Sequence, residues 1–438
     1  MNKANEETRL HYKLAYLRNR FLAGVKKICT HPLALAAAVI YWCLALALVG
    51  ALPSESVLDV LLYPVLCICI IVCTACIFTA GVTVSAIPRD TLRFATAFRA
   101  IHMTNSAGNS PLLTDRQQLP GGVCNVELFS PGVPAQVYKD HQQEIESAIN
   151  RRITRIDEGR DKQHITMRLA PGDSKLPDLV YLPPDPHTKD AEILLGVSLD
   201  GPVTVDLNRT PHLLIGGSTG SGKTRLMISI IAQLLAKRTN GNTPLVDVYL
   251  IDLKGGQDYP PRWRGQDCSF SDNAGDTLSV LSQVVAELEA RKIRFVAAGV
   301  ANGVSCSSLD DYNRLVPDAP LRRIVVAVDE TAELTDTSGA TKPEKEQIAA
   351  IVGKLATIAR LGRAFGINLL IGTQRPDANA VPGQIKNNLD YRACGKADNT
   401  LSIIILDNAD AAELIPKDSQ GLFLTHEGVL FRGYLCRT

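Results

Sequence analysis

Gly217-Ser-Thr-Gly-Ser-Gly-Lys-Thr224 carries the spacing G-x-x-x-x-G-K-[ST], which is that of a phosphate-binding loop. Glycine at Gly217, Gly220 and Gly222 lets backbone N–H groups curl toward anionic oxygens without Cβ clashes, and a helix starting there adds its positive end. Ser218, Thr219, Ser221 and Arg225 complete the candidate nucleotide cradle. The spacing predicts that Lys223 reaches the β- and γ-phosphates of ATP and that the Thr224 hydroxyl ligates Mg²⁺. Hydrolysis also needs carboxylates. Ile324-Val-Val-Ala-Val-Asp-Glu330 supplies two at the end of an apolar run. Asp329 is the candidate for the Mg²⁺ shell and Glu330 for orienting and deprotonating the attacking water. An acidic pair that merely caps a strand is the plainer alternative. Asn368-Leu-Leu-Ile-Gly-Thr-Gln374 ends in a polar pair, and Gln374 is a candidate γ-phosphate sensor.

These residues need strands to present them. His212–Ile215, Leu245–Asp252, Ile324–Val328 and Asn368–Thr373 are short apolar runs rich in β-branched residues, as buried parallel strands require. Helical stretches alternate with them, at Arg225–Ala236 and at about Asp276–Ala298, where Leu278, Leu281, Val285 and Leu288 form a core stripe. The expected fold class is α/β, a RecA-like P-loop NTPase domain with a parallel sheet and its ligands at the strands' carboxyl ends.

Upstream, Leu33–Leu52 and Val60–Ile87 carry no charge and are long enough to cross a bilayer as a helical hairpin. Lys3, Arg9, Lys13, Arg18, Arg20, Lys26 and Lys27 precede them, Glu55 and Asp59 lie between, and Arg89, Arg93 and Arg99 follow. Basic flanks predict both termini and the ATPase on the cytoplasmic side of a cell membrane. The expected division is a basic segment 1–32, two membrane helices 33–88, a membrane-proximal α+β domain 89–189 and the motor domain 190–438. In the α+β domain, Ile145, Ile149, Ile153 and Ile156 read as one amphipathic helix with Glu144, Arg151, Arg152 and Arg155 on its other face. Leu182-Pro-Pro-Asp-Pro-His187 reads as a stiff linker. Six of the 11 cysteines lie at or before position 76, where Cys43, Cys67, Cys69, Cys73 and Cys76 read as small apolar residues of the uncharged runs. The other five, Cys124, Cys268, Cys306, Cys394 and Cys436, show neither C-x-x-C spacing nor clustered histidines, so neither a metal site nor a disulfide framework is expected. A formal net charge of +1 does not by itself announce nucleic acid.

The ordered motifs together resemble the FtsK/SpoIIIE family. Pro211-His-Leu-Leu-Ile-Gly-Gly leads into the phosphate loop as in that family, and Val285-Ala-Glu-Leu-Glu-Ala-Arg-Lys292 with Asp311-Tyr-Asn313 follows. Val328-Asp-Glu-Thr-Ala-Glu-Leu334, the run Ile358–Pro376 and Ile385-Lys-Asn-Asn-Leu-Asp-Tyr-Arg392 complete the set, over about half the chain. The resemblance implies a motor that assembles as a homo-hexameric ring and pulls DNA through its pore. Within the family, the two-span anchor and compact pre-motor domain are similar to the coupling ATPases of Gram-positive conjugative elements, which implies relaxase and mating-channel proteins as partners. No DNA-reading winged-helix module is expected after the motor, and Thr331 stands where the family commonly has an aromatic. An arginine from a neighbouring subunit is implied at the γ-phosphate. Arg392 is the first candidate, with Arg375, Arg363 and Arg360 as competitors and a surface ion pair as the plainer account of Arg392. Lys254, Arg262 and Arg264 sit on a loop that suits DNA contact, with Trp263 as a stacking residue or as ordinary loop packing. Other readings compete: a protein-export ATPase of a specialised secretion system, which shares this motor, a translocase that segregates chromosomal or plasmid DNA, and a membrane scaffold that binds ATP only to assemble.

Overall fold

The computed structural model describes residues 94–106, 108–183, 191–239, 242–264, 268–375 and 381–437, with isolated residues 40, 43, 68, 70 and 71. The two uncharged runs and the Pro-rich stretch 184–190 therefore fall almost wholly outside the described residues. No helix among the described residues is long and apolar enough to cross a membrane. The chain divides into two compact units, 1–174 and 175–438.

The first unit is built on β1 (Leu112–Gln118), β2 (Cys124–Phe129), β3 (Arg151–Glu158) and β4 (His164–Pro171), an antiparallel sheet in the order β1-β2-β4-β3. Helices Ala135–Asp140 and Gln142–Ile149 pack on one face, around Phe98, Tyr138, Ile145, Met167 and Leu169. The long amphipathic helix expected over Ile145–Ile156 does not form. Asn150 adopts the left-handed conformation (φ 50°, ψ 50°) and ends the helix, and Ile153 and Ile156 belong to β3. In a regular strand a spacing of three would place these two isoleucines on opposite faces. A bulge between Ile153 and Arg155 inserts one residue, so both isoleucines reach the core and Arg152 and Arg155 are exposed. The bulge mimics helical spacing in the sequence.

The second unit holds one ten-stranded sheet: β5 (Glu192–Ser198), β6 (Gly201–Asp206), β7 (His212–Gly216), β8 (Val246–Ile251), β9 (Ser269–Ser271), β10 (Arg323–Val328), β11 (Ile367–Thr373), β12 (Tyr391–Cys394), β13 (Leu422–Thr425) and β14 (Leu430–Gly433). Its order is β6-β5-β14-β13-β12-β7-β11-β10-β8-β9. The parallel sheet that was expected is only part of it. Strands β9, β8, β10, β11, β7 and β12 are parallel, whereas β13, β14, β5 and β6 extend it antiparallel, so the sheet is mixed. Hairpin-length connections join β5 to β6 and β13 to β14, which only antiparallel pairing permits.

Every residue of β7, β10 and β11 is buried, because helices cover both faces. Ile324, Val326 and Val328 face one core with Leu281, Leu288, Ile351 and Leu355 of helices Ala274–Asn302 and Lys342–Leu361. Val325 and Ala327 face the other, with Leu226, Ile230 and Leu234 of helix Lys223–Ala236. The alternation fixes which side of each strand can carry chemistry. All parallel strands end at one rim, and the predicted nucleotide residues gather there.

Candidate nucleotide site

The loop between β7 and helix Lys223–Ala236 turns on Gly220 (φ 77°) and Gly222 (φ 95°), a region of backbone space that side chains disfavour. At Gly222 there is also no room: a Cβ would sit 2.9 Å from the Gly421 nitrogen. Three neighbours fasten the loop. The Ser218 N–H and hydroxyl both donate to the Lys396 carbonyl, at 2.8 and 2.9 Å. The Gly421 N–H donates to the Ser221 carbonyl at 2.8 Å, and the Thr219 hydroxyl donates to Gln374 Oε1 at 3.1 Å. Gln374 therefore stands against the phosphate loop, while Arg225 is exposed on the first helical turn.

Lys223 and Asp329 are brought together in the interior. Lys223 Nζ lies 3.0 Å from Asp329 Oδ1 and also donates to the Asp329 carbonyl, with both side chains almost fully buried. The Thr224 hydroxyl is 3.4 Å from the same Oδ1, and the Tyr259 hydroxyl donates to it at 2.9 Å. Burial, reinforced by the Asp329 charge, pushes the Tyr259 phenol well above its ordinary pKa, so it remains a donor. A hydroxyl and a carboxylate converging at a helix N-terminus are the hard oxygen donors that Mg²⁺ takes. Thr224 and Asp329 thus fit the ion, which would neutralise the phosphate oxygens beside Lys223.

Glu330 is turned toward β11. Its carboxylate accepts from the Thr373 hydroxyl at 3.0 Å and from the Gln374 N–H at 2.9 Å, and Lys254 Nζ stands 4.0 Å away. Burial raises its pKa, against the lowering effect of Lys223, Thr373 and Lys254. Asp252, at the end of β8, is likewise raised by burial. It holds the next turn by accepting from the Lys254 and Gly256 N–H groups at 3.0 and 2.8 Å.

Four contributors escaped the sequence reading. Tyr259 carries no motif. Lys396 follows β12 directly, and its amine reaches over the loop, 3.8 Å from where a Gly220 Cβ would stand. Gly421 touches the loop from the turn before β13. Gly372 is packed against the site itself: a Cβ there would lie 2.3 Å from the Asp329 carbonyl oxygen and 3.0 Å from Lys223 Nζ. Thr331, in the position of the missing aromatic, is fully buried and donates to the Gly372 carbonyl at 2.9 Å. The positions of Lys396 and Gly421 at the carboxyl rim follow from strand order, which the sequence alone did not supply.

The arginines are elsewhere. Arg392, on β12, donates to the Ile405 carbonyl at 3.3 Å and pairs with Asp407, which Lys386 also holds at 2.7 Å. Arg375 pairs with Glu333 at 2.7 Å and Asp336 at 3.1 Å. Arg360 and Arg363 are exposed at the end of helix Lys342–Leu361, and Arg363 acts electrostatically on His212 at the opposite end of β7 from the loop. None of the four reaches the phosphate loop of its own chain. Trp263 is buried against Tyr259, with ring centroids 6.0 Å apart, so loop packing is the account that the geometry supports. Arg264 lies over the Phe270 ring at 5.7 Å.

A strand–loop–helix phosphate cradle facing paired carboxylates at the rim of a parallel sheet core defines a P-loop NTPase. Residues 185–378 match the FtsK/SpoIIIE family, and the chain carries an ATPase domain of that family. DNA translocase FtsK of Staphylococcus aureus (strain Mu50) is 32% identical over 247 residues, covering 53% of this chain and 29% of that protein. DNA translocase FtsK of Lactococcus lactis subsp. lactis is 34% identical over 235 residues, covering 52% and 29%. The chain thus spans under a third of the length of these relatives. Among solved structures, the pCW3 conjugation coupling protein TcpA, a monomer form with ATPγS, matches at 28% identity with a TM-score of 0.55. That match covers 79% of this chain and 95% of the other.

Proposed function

We propose that this protein is an ATP-driven DNA translocase that acts as a coupling protein, delivering DNA to a conjugative, type IV-like transfer channel. The observation that carries the choice is coverage. The structural match to the conjugation coupling protein takes in 79% of this chain and 95% of that one, more than the motor segment alone can supply. The separate sequence match to the FtsK translocases takes in 53% of this chain and 29% of theirs. Within this reading the chain is anchored by the hairpin 33–88 in a cell membrane, works as a homo-hexamer from the cytoplasmic side, and meets a relaxase and mating-channel proteins. Lys223 and Mg²⁺ held by Thr224 and Asp329 bind ATP, Glu330 activates water, and Gln374 reports the γ-phosphate. Arg392 is proposed to act across the subunit seam, which requires its pair with Asp407 to open. The identity to FtsK translocases supports a second reading, segregation of chromosomal or plasmid DNA.

The test is DNA transfer between cells by the wild-type chain, by Lys223→Ala and by Glu330→Gln, alongside plasmid retention in the same cells. Loss of transfer with normal retention supports coupling. Loss of retention with normal transfer moves the assignment to segregation. Normal transfer by Glu330→Gln contradicts a translocating role altogether.

A further inference from the structure

Glu330 has the position of a general base but the surroundings of a restrained one. Both carboxylate oxygens take protein donors, from Thr373 and the Gln374 backbone, and its side chain is 2% exposed. The Gln374 and Ala332 N–H groups also approach Oε1, at 3.2 and 3.4 Å, so Oε2, the oxygen beside Lys254, is the one with acceptor capacity left for a water. The restraint that is not part of the strand frame is Lys254. Its ammonium approaches Glu330 Oε2 from the turn after β8, and its own side chain is 49% exposed.

That turn is built to transmit. Asp252 pins it by accepting from the Lys254 and Gly256 N–H groups, and Gly255 (φ 84°) and Gly256 (φ 65°) give it its shape. Gly256 lies so close to Phe270 that a Cβ would meet the ring at 2.6 Å. Arg264 rests on the same ring and is exposed. Exposed Arg264, Phe270, the Gly256 turn, Lys254 and Glu330 are therefore contiguous. Resting on the DNA-translocase reading above, we propose that Lys254 is a latch. It holds Glu330 away from water until a nucleic-acid phosphate backbone draws Arg264 and Lys254 outward.

Lys254 is thus a positioning residue, acting through Glu330. The ion pair is half-exposed and screened, so its release changes turnover by roughly fivefold, the effect of about 1 kcal/mol. The experiment measures ATP turnover by the full chain with no DNA, with duplex DNA and with single-stranded DNA, for wild type, Lys254→Met and Lys254→Arg. Binding of a fluorescent ATP analogue checks that each variant is folded. The latch predicts that Lys254→Met hydrolyses ATP about fivefold faster than wild type without DNA and gains correspondingly little when DNA is added. Lys254→Arg keeps the charge and restores the stimulation ratio toward that of wild type. If Lys254→Met binds the analogue but turns over no faster without DNA, or keeps the full stimulation ratio, the latch is wrong while the translocase reading stands. If wild-type turnover ignores both forms of DNA, the reading beneath it falls.

Discussion

Gly372→Ala is the smallest change that tests how tightly the site is built. The added Cβ would lie 2.3 Å from the Asp329 carbonyl oxygen, 2.8 Å from Met227 Sδ and 3.0 Å from Lys223 Nζ. Only the methionine and lysine tips can yield. The carbonyl belongs to the backbone just beyond β10, which is locked between β8 and β11 over most of its length. Gly372 itself pairs with Ile215 on β7. Overpacking of this kind costs about 1–3 kcal/mol. For a unit of this size that lowers Tm by on the order of 5 °C. The larger effect is on chemistry. Relieving the contact displaces Lys223 or Asp329 by a fraction of an ångström to about 1 Å, and a misplacement of that size costs roughly 10²-fold in turnover. The internal control is Gly353→Ala on helix Lys342–Leu361, where a Cβ meets nothing within 4 Å. There the same substitution stabilises by about 0.4–1 kcal/mol. Thermal unfolding and steady-state ATP turnover of both variants decide the matter. Wild-type turnover and Tm in Gly372→Ala would refute the packing argument.

Tyr259→Phe removes one donor to Asp329 and leaves the ring packed on Trp263; the half-saturating Mg²⁺ concentration for turnover should rise about tenfold. Titration of Mg²⁺ at fixed ATP checks this, and an unchanged Mg²⁺ dependence removes Tyr259 from the site. His212 is buried at the start of β7, accepts from the Leu369 N–H at 2.9 Å, and burial lowers its pKa to about 4. The folded chain therefore binds this proton less tightly than the unfolded chain does. Its contribution, on the order of 3 kcal/mol, is full above pH 6.5 and is lost as pH falls toward 4. Denaturant melts across this window should show the loss, and His212→Asn, which does not titrate there, should flatten it. Deleting Thr154 removes the bulge residue and turns Ile153 or Ile156 outward. The first unit should then become sensitive to limited proteolysis, whereas a persistent protected fragment contradicts the role given to the bulge.

How much of this was legible in the residues depended on range. The phosphate loop and the acidic strand are local patterns, in which motif and element coincide, so His212–Thr224 and Ile324–Glu330 could be placed without coordinates. The edge of the sheet was not legible. Strands β12, β13 and β14 are only four residues each; β12 pairs with β7 and β13, and β14 joins β13 to β5, which precedes the phosphate loop in sequence. Lys396 and Gly421 enter the site through that long-range pairing. The isoleucine run failed for a different reason: a β-bulge restores the three-residue spacing that periodicity assigns to a helix. Arg392 was placed by its position in a motif, but its partner Asp407 lies beyond the next helix, and pairing across that distance leaves no periodic trace.

The central claim is that ATP cleavage at this rim moves DNA. Displacement of a third strand from triplex DNA by the full chain tests it most directly, because release requires motion along the duplex. The account predicts release that depends on ATP and is abolished by Lys223→Ala and Glu330→Gln. ATP turnover by the wild-type chain with no strand released, at any DNA length or salt, would contradict it.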